Sequence, residues 1–247
     1  MKISICIDAV LSGNDDAQKL RALKGAGCSA FEFWTWWDKD LLEIKKTMDE
    51  TGLTCAAMCT RFVSLTTPEK RGEYIRGLRD SIEAAKSLGC KILISQVGDD
   101  TGRDRKEQHA SIVEGLMECA QILEDEAVIL VVEPLNTKVD HKGYYLWSSA
   151  EGFEIIREIS SPNIKLLYDI YHQQLMEGDI LNTISANLDL IGHMHAAGVP
   201  GRRELDRGEL DYRFIFKMLD LYGYEGYVGF EYFPAGDPLD SIRKYIN

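Results

Sequence analysis

The chain has 247 residues, 45% of them hydrophobic, and carries 40 Asp and Glu against 28 Lys and Arg, a formal net charge of −12. So acidic a chain, with its basic residues scattered, repels polyanions, and no nucleic-acid partner is expected. No apolar run reaches the ~18 residues of a membrane span, and no membrane partner is expected. The opening Met1-Lys2-Ile3-Ser4-Ile5-Cys6-Ile7-Asp8 is broken by Asp8, with no small-residue cleavage site behind it, so the expectation is no signal peptide and a cytoplasmic location.

Short apolar, β-branched runs alternate with longer segments of helical period. Strands are predicted over 3–8, 30–34, 54–59, 91–95, 128–133, 164–169, 190–195 and 227–231. The intervening helices are predicted over 15–25, 40–50, 68–88, 105–124, 149–159, 174–187 and 212–222, with a short closing helix over 238–245. Gly27, Gly52, Gly89 and Gly223 each stand after a helix and before a strand, where a left-handed cap is wanted. Strands alternating with helices imply parallel pairing through right-handed crossovers. Eight such units, in a chain close to the roughly 250 residues of such a fold, predict one α/β domain over 1–247, a (β/α)₈ TIM barrel. An open doubly wound sheet would show a glycine-rich phosphate loop after its first strand, and Asp8-Ala9-Val10-Leu11-Ser12-Gly13 is not one. The six cysteines form no C-x-x-C pair and are expected as buried thiols.

In a barrel the chemistry sits at the C-terminal ends of the strands. Strand five ends at Glu133, strand six at Asp169, strand seven at His195 and strand eight at Glu231. Neighbouring strands lie about 4.8 Å apart, so long inward side chains on four consecutive strands converge. Three carboxylates share such a mouth at high electrostatic cost unless a divalent cation neutralises them. Three carboxylates and one imidazole suit Mn²⁺ or Mg²⁺, with Zn²⁺ or Co²⁺ as alternatives. His193 and His195 are two apart on a strand and face the same way. His195 is the ligand candidate; His193, one layer deeper, either supports a ligand or is a structural histidine. His172, three residues after Asp169, is read as a contact to a substrate oxygen. Trp34, Trp36 and Trp37 follow strand two at the same rim, where an indole face can wall a sugar pocket. Glu32 is a candidate partner for a substrate hydroxyl, and Arg61 for a substrate anion or for the surface.

These stretches resemble the xylose isomerase-like barrels, and among them the hydroxypyruvate isomerase branch. The resemblance lies in Val131-Val132-Glu133-Pro134-Leu135-Asn136 and Leu167-Tyr168-Asp169-Ile170-Tyr171-His172. It continues in His193-Met194-His195-Ala196-Ala197-Gly198-Val199-Pro200-Gly201-Arg202, Gly208-Glu209-Leu210-Asp211-Tyr212 and Gly226-Tyr227-Val228-Gly229-Phe230-Glu231-Tyr232. It is strong over strands five to eight and thin over the first hundred residues, where the Phe31-Glu32-Phe33 strand agrees. The resemblance implies a divalent metal on Glu133, Asp169, His195 and Glu231, the two glutamates also serving as the acid–base pair. It implies His172 and Arg202 on substrate oxygens. The implied activity is isomerisation of a small sugar or hydroxy-keto acid, a proton moving between neighbouring carbons through an enediolate. A homo-oligomer is compatible with it.

Two departures bear on the substrate. The loop after strand three, Cys59-Thr60-Arg61-Phe62-Val63-Ser64-Leu65-Thr66-Thr67, is not the Pro- and Gly-rich, Asn-initiated loop common in that branch. Ketose 3-epimerases usually carry a further glutamate six residues after the strand-five ligand, and Val139 stands there. A ketose 3-epimerase or a lyase with the same chemistry is the runner-up, and a non-catalytic sugar-binding barrel a weaker one. Apurinic endonucleases share the barrel but need a histidine-rich multi-zinc site, and this acidic chain has five histidines.

Overall fold

A computed structural model of the protein describes residues 1–13 and 15–246. Its eight strands are β1 (Lys2–Cys6), β2 (Ala30–Phe33), β3 (Thr54–Cys59), β4 (Ile92–Ser95), β5 (Ile129–Val132), β6 (Ile164–Asp169), β7 (Ile191–Ala196) and β8 (Tyr227–Phe230). Each pairs in parallel with the next, and β1 also pairs with β8, so the sheet closes. The helices are α1 (Ile7–Val10), α2 (Asp16–Gly25), α3 (Leu41–Thr51), α4 (Arg71–Leu88), α5 (Arg105–Glu126), α6 (Ser149–Ile159), α7 (Ile170–Met176), α8 (Ile180–Ala186), α9 (Tyr212–Leu221) and α10 (Pro238–Ile246). This is the (β/α)₈ barrel expected from the alternation. Among the described residues no helix is long and apolar enough to cross a membrane.

The strand period of two builds two cores. Leu130, Val132, Leu166, Tyr168, Met194, Val228 and Phe230 face outward and pack in the main core, between strands and helices. Ala57, Cys59, Ile94, Val131 and Leu167 form a small separate apolar cluster inside the barrel. Fully burying one such aliphatic side chain contributes roughly 1.5–3 kcal/mol. Two residues above Val131, Leu167 and Gly229, the same inward alternation reaches Glu133, Asp169 and Glu231. All six cysteines are free and buried. Gly27, Gly52, Gly89 and Gly223 take φ of 94°, 70°, 67° and 79°, while α5 and α6 end on left-handed Ala127 and Ser160 instead.

The structure corrects several boundaries. Asp8 does not end the first strand; it lies in α1, a single extra turn. The helix expected over 174–187 is two helices. The first, α7, begins immediately after Asp169, and a left-handed pair, Gly178 (φ 74°) and Asp179 (φ 48°), separates it from α8. Glu133 and Glu231 fall one residue past β5 and β8. Residues 68–70 form a 3₁₀ turn ahead of α4.

Candidate active site

Glu133, Asp169, His195 and Glu231 converge at the C-terminal mouth. Each offers one ligand atom, and these atoms lie within 4.8 Å of one another. All four are at most 5% exposed. His195 Nδ1 sits 3.5 Å from Glu133 Oε1, 3.3 Å from Glu231 Oε2 and 4.0 Å from Asp169 Oδ2. It has no hydrogen-bond partner. An orphaned buried nitrogen facing three carboxylates fits a divalent cation, and these residues would hold one.

Each ligand is held from behind. Asp169 Oδ1 accepts the backbone N–H groups of Tyr171 (2.7 Å) and His172 (3.1 Å), capping α7 and leaving Oδ2 for the cluster. Gln96, directly after β4, donates to Glu133 Oε2 at 3.4 Å. Trp34 Nε1 donates to Glu231 Oε1, and Arg202 Nη2 pairs with Glu231 Oε2. The Trp34 backbone N–H donates to Asp8 Oδ2 at 2.8 Å, and Lys39 holds the other Asp8 oxygen at 2.7 Å. Burial favours the neutral form of Glu231, but Arg202 and His195 outweigh it and hold the carboxyl well below the usual range. Burial pushes the Asp169 carboxyl up, against the pull of Arg202 and His195. His195 is raised well above an ordinary histidine, because Glu32 and Glu231 outweigh its burial.

Arg202 is carried by the loop after β7, in a left-handed conformation (φ 53°). Such a φ costs a non-glycine residue about 1–3 kcal/mol unless its surroundings enforce it. The loop does: a Cβ on Gly198 would meet the Arg207 and Glu204 carbonyl oxygens at 2.3 and 2.6 Å. Glu204 then accepts the Ala235 and Gly236 backbone N–H groups at 2.8 and 3.1 Å, tying the loop to the segment after β8. The guanidinium lies over Tyr171 and Phe233. His172 is fully buried, and its pKa is lowered to about 3 by burial and by Arg202, so the ring is neutral.

Glu32, read from the sequence as a partner for a substrate hydroxyl, does not line the cavity. It is 1% exposed beneath His195, its oxygens 2.8 Å from Ser4 Oγ, 2.9 Å from His193 Nε2 and 2.9 Å from His195 Nε2. The last contact is bent away from a ring N–H direction. A strand-two residue spans the barrel to β7, and Gly229 makes room: a Cβ there would lie 2.1 Å from Glu32 Oε1. Burial opposes its ionisation, but His195 and His193 hold Glu32 down at about 2. His193 and His195 thus share the Glu32 carboxylate beneath the cluster. Arg61 stacks on Trp36 and Trp37, 4.5 and 4.9 Å from their ring centres, and does not line the cavity. Trp36 Nε1 donates to Ser81 at 3.2 Å, so of the three tryptophans only Trp34 lines the cavity.

The cluster opens into a cavity of about 840 Å³, lined by His172 and Arg202 near the carboxylates and by Phe62, Val63, Val139 and Phe233 among its apolar walls. Beside Val139, Asp140 also lines it, its Oδ2 bonded to Asn136 Nδ2 (2.7 Å) and Tyr171 Oη (2.8 Å). Sequence reasoning passed over Asp8, Gln96 and Asp140. Gln96 is the polar residue after strand four, which a search for charged strand ends omits.

The xylose isomerase-like TIM barrel family model matches residues 20–247. The hydroxypyruvate isomerase of Escherichia coli is 36% identical over 177 residues, covering 71% of this chain and 68% of that protein. The 2-oxo-tetronate isomerase of Cupriavidus necator is 30% identical over 243 residues, covering 92% of each. A crystal structure described as an AP endonuclease of family 2 from Brucella melitensis superposes with a TM-score of 0.93 at 26% identity, covering 98% of this chain and 96% of that one. With the closed barrel and four strand-end side chains converging at its mouth, the chain belongs to the xylose isomerase-like TIM barrel family, in its hydroxypyruvate isomerase-like branch, and is an isomerase.

Proposed function

We propose that the protein is a metal-dependent isomerase of a small hydroxy-keto acid, moving a proton between adjacent carbons through an enediolate. The observation that carries this is the buried group Glu133, Asp169, His195 Nδ1 and Glu231, within 4.8 Å and open to a cavity that also presents Arg202 and His172. The oxygen-rich donor set favours Mn²⁺ or Mg²⁺ over Zn²⁺. A bound ion acts as a Lewis acid toward the substrate's carbonyl and neighbouring hydroxyl oxygens. One of Glu133 and Glu231 removes the carbon-bound proton, its electron pair forms the C=C bond of the enediolate and the carbonyl π pair moves onto oxygen; the neighbouring hydroxyl proton passes to that oxygen, a new carbonyl forms where the hydroxyl was, and a proton returns to the former carbonyl carbon. Arg202 sits where a substrate carboxylate arrives, and Trp34 fixes Glu231 for the transfer. The relatives that act on hydroxypyruvate and 2-oxo-tetronate support a keto acid as substrate. A nucleic-acid substrate is disfavoured by the net charge of −12 and by a cluster with a single histidine.

The test is NMR of Mn²⁺-loaded protein in D₂O with three- and four-carbon hydroxy-keto acids. Deuterium should enter at the two carbons flanking the moved proton, and Glu133→Gln and Glu231→Gln should each lower kcat by several powers of ten, about 1.4 kcal/mol per power. Label at a single inverted carbon would mean epimerisation. Near wild-type turnover in either variant would remove that glutamate from the chemistry.

A further inference from the structure

His172 carries an unusually well-determined proton. Asn136, fully buried just after β5, donates its backbone N–H to His172 Nδ1 at 3.2 Å, and its side-chain Nδ2 lies 2.6 Å from the same atom. A backbone N–H can only donate, so Nδ1 is a lone pair and the ring proton is on Nε2. The orientation of the Asn136 amide is equally determined. Its Oδ1 accepts the backbone N–H groups of Val139 (2.9 Å) and Asp140 (3.1 Å), which turns Nδ2 toward His172 and Asp140 Oδ2. His172 Nε2 is buried without a hydrogen-bond partner, 3.5 Å from Asp169 Oδ2, on a ring that lines the cavity.

We propose that Asn136 is a positioning residue that locks His172 into the Nε2–H form, so that His172 serves the reaction only as a hydrogen-bond donor to the oxygen that gains charge and never as a base. This rests on the isomerase reading for the identity of that oxygen; the lock itself does not. Backbone donors fix both the asparagine and the histidine, so the donor is aimed before substrate arrives and reorganises little as charge develops.

Two substitutions separate this from a merely structural role. Asn136→Ala removes Nδ2 and Oδ1 but keeps the backbone donor to Nδ1. Asn136→Asp keeps an oxygen for the loop N–H groups but puts a carboxylate oxygen in the place of Nδ2, 2.6 Å from Nδ1, where its pull on a ring proton outweighs the longer backbone contact of 3.2 Å and draws the proton onto Nδ1. Long-range ¹H–¹⁵N correlation spectra of the full-length, metal-free protein, assigned with His172→Gln, read the ring directly. Nδ1 should be bare in wild type and in Asn136→Ala, and protonated in Asn136→Asp. With Mn²⁺ and hydroxypyruvate, Asn136→Asp should lose about 10²-fold in kcat, the scale of one lost oxyanion donor, with KM little changed and a smaller loss in Asn136→Ala. If Asn136 only anchored the loop, Asn136→Ala would be the more damaged, because it alone loses the oxygen. A proton on Nδ1 of the wild type, a bare Nδ1 in Asn136→Asp, or that inverse order of activities overturns the proposal. A wild type inert on every hydroxy-keto acid overturns the isomerase reading instead, and the spectra then judge the lock alone.

Discussion

Glu32→Gln tests how the cluster is held. Glu32 serves Ser4, His193 and His195 at 2.8, 2.9 and 2.9 Å from a position 1% exposed. Glutamine has the same shape, but it offers one acceptor oxygen in place of two, and its amide turns N–H toward a ring nitrogen that needs an acceptor. Two consequences differ in size. Breaking a buried ion pair by removing one partner destabilises by about 3–5 kcal/mol. Losing the carboxylate behind a histidine ligand weakens metal binding about 10–100-fold, or roughly 1.4–2.7 kcal/mol. The pH dependence has a definite sign. Glu32 is held at about 2, below its ordinary 4.5. Its stabilisation is therefore complete above about pH 4.5 and is lost as pH falls toward 2. The stability gap between wild type and Glu32→Gln should be widest at neutral pH and narrow through that window. Calorimetric titration with Mn²⁺ at neutral pH and urea unfolding across the acid range read the two effects separately. If Glu32→Gln bound Mn²⁺ as tightly as wild type, Glu32 would not position His195.

Gly229→Ala should repeat the loss of Mn²⁺ affinity without removing a polar group, because its Cβ would lie 2.1 Å from Glu32 Oε1; unchanged affinity would show that Glu32 has room to move. His109 bridges α5 to α6 through Glu151 (3.4 Å) and Glu158 (3.0 Å). Burial works against its protonation, but Glu158 and Glu151 outweigh it and raise its pKa. Its contribution is present below the ordinary 6.5 and fades as pH rises through the raised value. His109→Gln should therefore lower Tm at about pH 5.5 and leave it nearly unchanged at about pH 9, by no more than about 1 kcal/mol for so exposed a pair; an equal loss at both pH values would rule the ion pairs out.

The barrel was legible because its strands are buried on both faces and its helices are not, so apolar runs and periodic segments separate cleanly. The convergence of Glu133, Asp169, His195 and Glu231 was legible because each is an inward polar residue at the C-terminal end of its strand. Glu32 carries the same signature, an inward carboxylate near a strand end, yet it lies beneath the cluster and off the cavity wall. Nothing local shows that its side chain lies under His195 while Glu231 lies beside it. That difference comes from the register across β1, β2 and β8, and from Gly229 leaving a space that glycine composition alone does not announce. Arg202 was reached through resemblance, since its position depends on a loop closed by Gly198 and Glu204 rather than on any period. Arg61 illustrates the converse, an arginine at the rim whose partners are indole faces.

Asp169 shows why the strand end stood out in the sequence while the start of the helix after it did not. An aspartate that ends a strand and one that caps a helix have the same local signature, and here one side chain is both. Its Oδ1 takes the Tyr171 and His172 N–H groups, and its Oδ2 faces His195. A helix start was sought where polar residues resume, at 174, whereas α7 begins immediately after Asp169, which caps it. Asparagine at this position could still cap α7 through its oxygen but would turn an uncharged amide toward the cluster. Serine or threonine could cap but could not reach both ways. The carboxylate that would hold the ion is thus also the group that starts the helix carrying His172, so the distance between Asp169 and His172 is set by one turn of backbone and not by loop packing.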